Sequence, residues 1–76
     1  MHLVGEYLKK NRIKNKYSIN DISENLKISY FILQKIENDE FTDELNKTYL
    51  IGHVRSYAKF LNLDSDDLAK KFKLQV

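Results

Sequence analysis

Ser18-Ile19-Asn20-Asp21-Ile22-Ser23-Glu24-Asn25-Leu26-Lys27-Ile28-Ser29-Tyr30-Phe31-Ile32-Leu33-Gln34-Lys35-Ile36 reads as two short helices joined by a tight turn. Ser18 and Ser29 each precede an apolar-periodic run, where a hydroxyl can accept a backbone N–H of the first helical turn. Asp21, three residues after Ser18, suits the reciprocal bond of a capping box, and Tyr17 and Ile22 flank that cap in staple positions. Ile28 and Leu33 take the same positions around Ser29. Each cap is worth about 1 kcal/mol, so together they fix where the chain turns. Ile22 and Leu26 share one face of the first of these helices, Leu33 and Ile36 line the inner face of the second, and Ile28 sits in the turn. Ser23 is small where the two helices must approach. Short helices that cross steeply need this pattern, that of a helix-turn-helix. Lys27 stands where many such turns use glycine to reach positive φ, at a cost on the order of 1 kcal/mol.

Outward from this unit the periodicity stays helical. A first helix is expected from about Leu3 to Asn15, with Val4, Tyr7, Leu8 and Asn11 on one face, broken by Lys16 and Tyr17. The helix begun at Ser29 ends near Asn38, which gives a unit of about 18–38. Residues 39–46 form an acidic loop anchored by Phe41 and Leu45. A long fourth helix is expected over about 46–61, with Leu50, Val54, Tyr57, Ala58 and Leu61 on one stripe. Asn62 suits a left-handed cap. Asp64, with Asp67 at the third position and Leu63 and Leu68 as staple, opens a short fifth helix, about 65–73, that buries Leu68 and Phe72. The expectation is one all-α domain over residues 1–76, five helices and no strand.

Composition agrees and narrows the function. A chain of 76 residues buries only about 60% of the surface it exposes when unfolded, so its stability is marginal. It has no cysteine, no proline and two glycines, which excludes disulfides and thiolate metal sites and argues against a hairpin-rich fold. The longest apolar run, Tyr30–Leu33 with tyrosine counted, is far short of the roughly 20 residues of a membrane span. A soluble chain is the expectation, and its lack of cysteine fits either a reducing compartment or chance. His2 and His53 are far apart, and the serines are explained as helix starts. No nucleophile–base set, glycine-rich phosphate loop or calcium loop can be drawn, so neither catalysis nor a cofactor or metal is expected.

Net charge is +2, from 13 basic and 11 acidic side chains, but the charges are segregated. Lys9, Lys10, Arg12, Lys14 and Lys16 form a run without acids; Glu37, Asp39, Glu40, Asp43 and Glu44 form a run without bases. The basic run faces either phosphates, an acidic partner or only solvent. In a DNA reader the outer face of the second helix of the unit enters the major groove. Here that face carries Tyr30, Phe31, Gln34, Lys35 and Asn38. Gln34 and Asn38 suit adenine, and Lys35 suits guanine or phosphate. Against this, the helix has no arginine, runs into five carboxylates, and begins with two aromatics, one of which is read either as core or as a protein contact.

The sequence also resembles a known family. Val4-Gly5-Glu6-Tyr7-Leu8, Ser18-Ile19-x-x-Ile22, Lys27-Ile28, Leu33-x-x-Ile36-Glu37-x-x-x-Phe41 and the segment from Tyr49 to Asp64 are similar to the cytoplasmic domain of the RodZ family of bacterial cell-shape proteins. The resemblance covers about residues 4–72. Its most specific part is an aromatic, then Gly52-x-x-Arg55-Ser56-Tyr57-Ala58, then Leu61-x-Leu63-Asp64. It implies a repressor-like bundle in the cytoplasm, followed in the family by a linker, one membrane-spanning helix and a periplasmic domain. No span follows Val76, so on this reading the chain is either an excised domain or a stand-alone relative. The family domain binds the actin-like filament protein MreB through aromatic residues of the fourth helix, with support from the helix-turn-helix region. Tyr49 and His53 match those positions, with histidine where the family usually has Phe or Tyr. By helical geometry they lie about 60–100° from the core stripe, so they are either partly exposed together or packed against the first or third helix. Phe60 falls on the same flank and either joins that surface or packs on the last helix, and Arg55 and Lys59 are read beside it as part of a protein hot spot. The two functional expectations are therefore MreB docking through the fourth helix and DNA binding through the third.

Overall fold

The computed structural model describes residues 3–40 and 47–75. Five α-helices follow one another: α1 (Val4–Lys14), α2 (Ile19–Leu26), α3 (Tyr30–Glu37), α4 (Lys47–Phe60) and α5 (Ser65–Gln75), with no strand among the described residues. The fold is the expected all-α bundle containing a helix-turn-helix. Phe41 and Leu45, the expected anchors of the acidic loop, lie outside the described residues, as do Asp43 and Glu44.

The local signals act as read. Ser18 and Asp21 form a reciprocal capping box, with the Asp21 N–H donating to Ser18 Oγ at 3.1 Å and the Ser18 N–H donating to Asp21 Oδ2 at 2.8 Å. Ser29 Oγ accepts from the Phe31 N–H at 3.2 Å, and Asp64 Oδ1 from the Asp67 N–H at 3.0 Å. Asn62 is left-handed, with φ 59°. Lys27 ends α2 at φ 56° and ψ 39°. Ser23 contributes more than small size: its hydroxyl donates to the Ile28 carbonyl at 2.6 Å and pins the turn. Because a lysine holds a conformation that costs L-residues about 1–2 kcal/mol, Lys27→Gly is expected to raise stability by about 0.5–1 kcal/mol after the greater freedom of the unfolded glycine is subtracted. Urea unfolding of the two chains measures this.

The start of α1 is capped from a distance. Leu3, its N-cap, offers no side-chain acceptor. Asp39, itself left-handed at φ 54°, supplies one from beyond α3: Oδ1 accepts from the Gly5 N–H at 2.8 Å and Oδ2 from the Glu6 N–H at 3.1 Å. Gln75 at the end of α5 donates to Asp39 Oδ1 at 2.7 Å and accepts from the Val4 N–H at 3.1 Å. Three orphan donors of α1 thus tie the first, third and last helices together. Gly5 permits the approach. A Cβ there would lie 1.9 Å from the Ile36 carbonyl oxygen.

The core runs from Val4 and Leu8 through Ile22, Ile28, Leu33 and Ile36 to the α4 stripe of Leu50, Val54, Tyr57, Ala58 and Leu61, closed by Leu68 and Phe72. Within it lies a polar set. Glu37 is only 5% exposed. It accepts from Arg12 Nε at 2.7 Å and Nη2 at 3.0 Å, and from the buried Tyr57 hydroxyl. Arg12 Nη1 also donates to the Tyr17 carbonyl at 2.9 Å. Burial, and secondly the hydrogen bond to Glu37, push the Tyr57 phenol far above its usual range, so it stays a donor.

Some expectations need correction. Tyr7, placed on the inner face of the first helix, is exposed, and buried Gly5 stands on that face instead. Tyr17, placed for a staple with Ile22, makes a further contact that the spacing does not show: its ring lies against Phe60 with centroids 5.0 Å apart. The last helix continues to Gln75 rather than ending near Lys73, because Gln75 is held by Asp39 and Val4. The charge runs are not simply solvated: Arg12, Glu37 and Asp39 turn inward to one another's helices.

Candidate functional site

Two surfaces were expected to carry function, and each has a defined geometry. On α3, Tyr30, Phe31, Gln34 and Asn38 are exposed and Lys35 is half-buried. Neither aromatic belongs to the core. Phe31 is 72% exposed and meets Tyr30 edge-on, with centroids 6.2 Å apart. The face a DNA reader would use therefore leads with an aromatic pair and carries a single cation, Lys35, within the helix. Glu37 does not contribute to repulsion there, being buried with Arg12.

On α4, Tyr49 is 53% exposed and packs edge-on against half-buried His53, with centroids 4.2 Å apart and an interplanar angle of 73°. They are four residues apart, so adjacent turns bring them together. Between this ring pair and exposed Lys59 the solvent face of the helix is low. Gly52 and Ser56 are exposed, and a Cβ at Gly52 would meet nothing within 4 Å. A glycine at an exposed position in the middle of a helix costs about 1 kcal/mol relative to alanine, and no packing among the described residues accounts for it.

The other two residues assigned to this surface are placed apart from the ring pair. Arg55 lies about 120° around the helix from Tyr49 and forms an ion pair with Asp66 at the start of α5. Phe60 shares the flank but is about three turns on from Tyr49, half-buried and packed at a tilt against Tyr17. The structure thus joins Tyr49 and His53, and commits Arg55 and Phe60 to contacts within the chain.

His53 Nε2 is buried and has no hydrogen-bond partner among the described residues. Burial lowers the pKa of this imidazole below its ordinary 6.5, because the charged ring would lose hydration. A lowered folded-state pKa means the unfolded chain takes up the proton first. The contribution of His53 is therefore constant above pH 6.5, is lost as pH falls through 6.5 toward the folded-state value, and is constant again below that. The unfolding midpoint of the wild type is expected to fall more steeply across this window than that of His53→Phe. Thermal unfolding of both chains on either side of pH 6.5 reads the difference.

No group of three or more His, Asp or Glu among the described residues is arranged to hold a metal ion. No helix of the described residues is long and apolar enough to cross a membrane.

Comparison with known proteins adds the family. A helix-turn-helix domain family matches residues 7–68, which is most of the chain and runs from the exposed Tyr7 to the α5 core residue Leu68. The chain belongs to this helix-turn-helix domain family. An uncharacterized protein of Haemophilus influenzae (strain ATCC 51907 / DSM 11121 / KW20 / Rd) is 35% identical over 60 residues, covering 78% of this chain. The helix-turn-helix chain spans about a fifth (20%) of that relative's length. No solved structure matches it significantly.

Proposed function

We propose that this helix-turn-helix domain is a protein-docking module of the RodZ type, which binds an MreB-like actin filament protein through the solvent face of α4. The matching family is one that includes the N-terminal helix-turn-helix of RodZ. The observation that carries the reading is the make-up of that face: an exposed tyrosine braced edge-on by His53, beside uncrowded Gly52. Aromatic anchors next to low ground suit a partner helix that approaches the backbone closely and seats its side chains around the ring. Replacing Tyr49 and His53 together by alanine is expected to abolish binding to MreB filaments while helicity is retained. An unchanged affinity in a folded double variant rejects the proposal.

DNA binding through α3 is the second reading, favoured by the exposure of Gln34 and Asn38 on one face. The lead aromatic pair and the scarcity of cations on α3 weigh against it, since nonspecific affinity rests on several phosphate contacts. Titration with duplex DNA at low and high salt decides it. Binding absent even at low salt removes this reading.

A further inference from the structure

We infer that the groove between α1 and α5 docks a short amphipathic helix of another protein, one that carries lysine or arginine at the end it lays over the start of α5. This inference is independent of the α4 reading. The groove holds about 510 Å³. Buried Val4 and Leu68 form its floor, and its walls are Leu3 and Tyr7 of α1 and Leu74 of α5. Leu3 and Tyr7 are each 40% exposed and Leu74 is 82% exposed. A single exposed leucine needs no explanation, but three large apolar side chains around one concave surface mark a place for a partner.

The polar lining is sorted along α5. Asp64 and Asp67 stand exposed at the start of this helix, Lys71 follows one turn on, and Leu74 and Gln75 close the far end. Leu3 flanks that far end too, since the Val4 N–H meets Gln75 there at 3.1 Å. Lys71 is the cation of the lining and is held by Asp67 at 3.0 Å. Asp64 has one oxygen on the Asp67 N–H at 3.0 Å and no ion pair among the described residues. One end of the groove therefore holds a carboxylate that no ammonium balances, and the other end is apolar.

Length and charge choose the occupant. From Asp64 to Gln75 the groove follows α5 for about 16 Å, which is three turns of a helix laid alongside. Helices seated in grooves anchor themselves by apolar side chains at i, i+3, i+4 and i+7, and Leu3, Tyr7 and Leu74 supply the surface for such anchors. A cation at the end of that helix pairs with Asp64. Nucleic acid, anionic lipid or an acidic segment would meet a carboxylate at this point. A wholly apolar segment would strip water from Asp64 without pairing it.

The probe is a synthetic helical peptide of about four turns, with leucines along one face and two lysines at one end. Its control has glutamates in place of those lysines. Fluorescence anisotropy of the labelled peptides reads their binding to the whole chain. The lysine peptide is expected to bind, more weakly as salt rises, and the glutamate peptide about fivefold less tightly. Leu74→Ser should weaken the lysine peptide by about tenfold. Asp64→Asn keeps an acceptor for the Asp67 N–H, so the helix start survives while the difference between the two peptides narrows. Circular dichroism verifies that both variants are folded. No binding of the lysine peptide at low salt overturns the proposal, as do equal affinities of the two peptides or binding indifferent to Leu74→Ser. Sedimentation of the chain alone adds a further arm: a dimer that Leu74→Ser dissolves would give the groove to a second copy and overturn the proposal as well.

Discussion

Glu37→Ala is expected to destabilise the domain by about 3–5 kcal/mol, enough to leave much of a chain this small unfolded at physiological temperature. The carboxylate is the shared acceptor of the Arg12 guanidinium and the Tyr57 hydroxyl, reached from α1 and α4. Removing it leaves a largely buried cation and a buried phenol without their partner. The cost is mainly that of the orphaned groups rather than the worth of the bonds. Two companion variants separate these. Tyr57→Phe keeps both Arg12–Glu37 bonds and should cost only about 1 kcal/mol. The triple change Arg12→Met/Glu37→Leu/Tyr57→Phe removes every member and should recover most of the loss, as apolar replacement of buried ion pairs often does. Urea unfolding across the series gives the ordering: Glu37→Ala worst, the triple variant and Tyr57→Phe mild. A Glu37→Ala protein as stable as wild type would show that the set carries no buried charge worth pairing.

Gly5→Ala is the second large effect. Two terms oppose each other. Alanine gains about 1 kcal/mol of helix propensity over glycine. Against that, its Cβ would sit 1.9 Å from the Ile36 carbonyl oxygen and 2.8 Å from Asp39 Oδ1. The first obstacle is backbone, so relief requires α1 and α3 to separate. Separation also breaks the Asp39 bonds to Gly5 and Glu6. Overpacking costs about 1–3 kcal/mol and a lost cap about 1 more, so the clash wins. The net loss is about 1–3 kcal/mol, lowering the thermal midpoint by roughly 5–20 °C. Asp39→Ala should reproduce only the cap's share. Gly5→Ala at or above the wild-type midpoint would mean that α1 can move off α3 at little cost.

The sequence shows clearly what is set within a few residues. Ser18 with Asp21, Ser29, Asp64 and Asn62 act locally, and the starts of α2, α3 and α5 and the end of α4 follow from them. The α4 stripe is equally plain, because burial of one face imposes the helical period. The polar set is hidden for a physical reason. Arg12 and Glu37 sit in runs of like charge, and such runs ordinarily mark solvated surface. Their pairing depends on α1 crossing α3, which no spacing encodes. The available hint is position: Arg12 falls one turn after Leu8, and Glu37 one turn after Leu33, at the edge of each core stripe.

The candidate surface divides along the same line. Tyr49 and His53 are neighbours by helical spacing alone, and their contact is legible before any coordinates. That Arg55 points elsewhere was equally available from the helical angle. Phe60 was not, since its partner Tyr17 comes from the α1–α2 connection. Gly52 shows in the motif as a glycine, but the open ground beside the ring pair is visible only once its surroundings are known.

That open ground permits the most direct measurement of the docking claim. Gly52→Leu adds bulk where a Cβ meets nothing within 4 Å, so the fold keeps its contacts and gains about 1 kcal/mol of helix propensity. Binding of wild type and Gly52→Leu to MreB filaments should differ by tenfold or more, with the variant weaker although more stable. Equal affinities would contradict the placement of the partner on this face of α4.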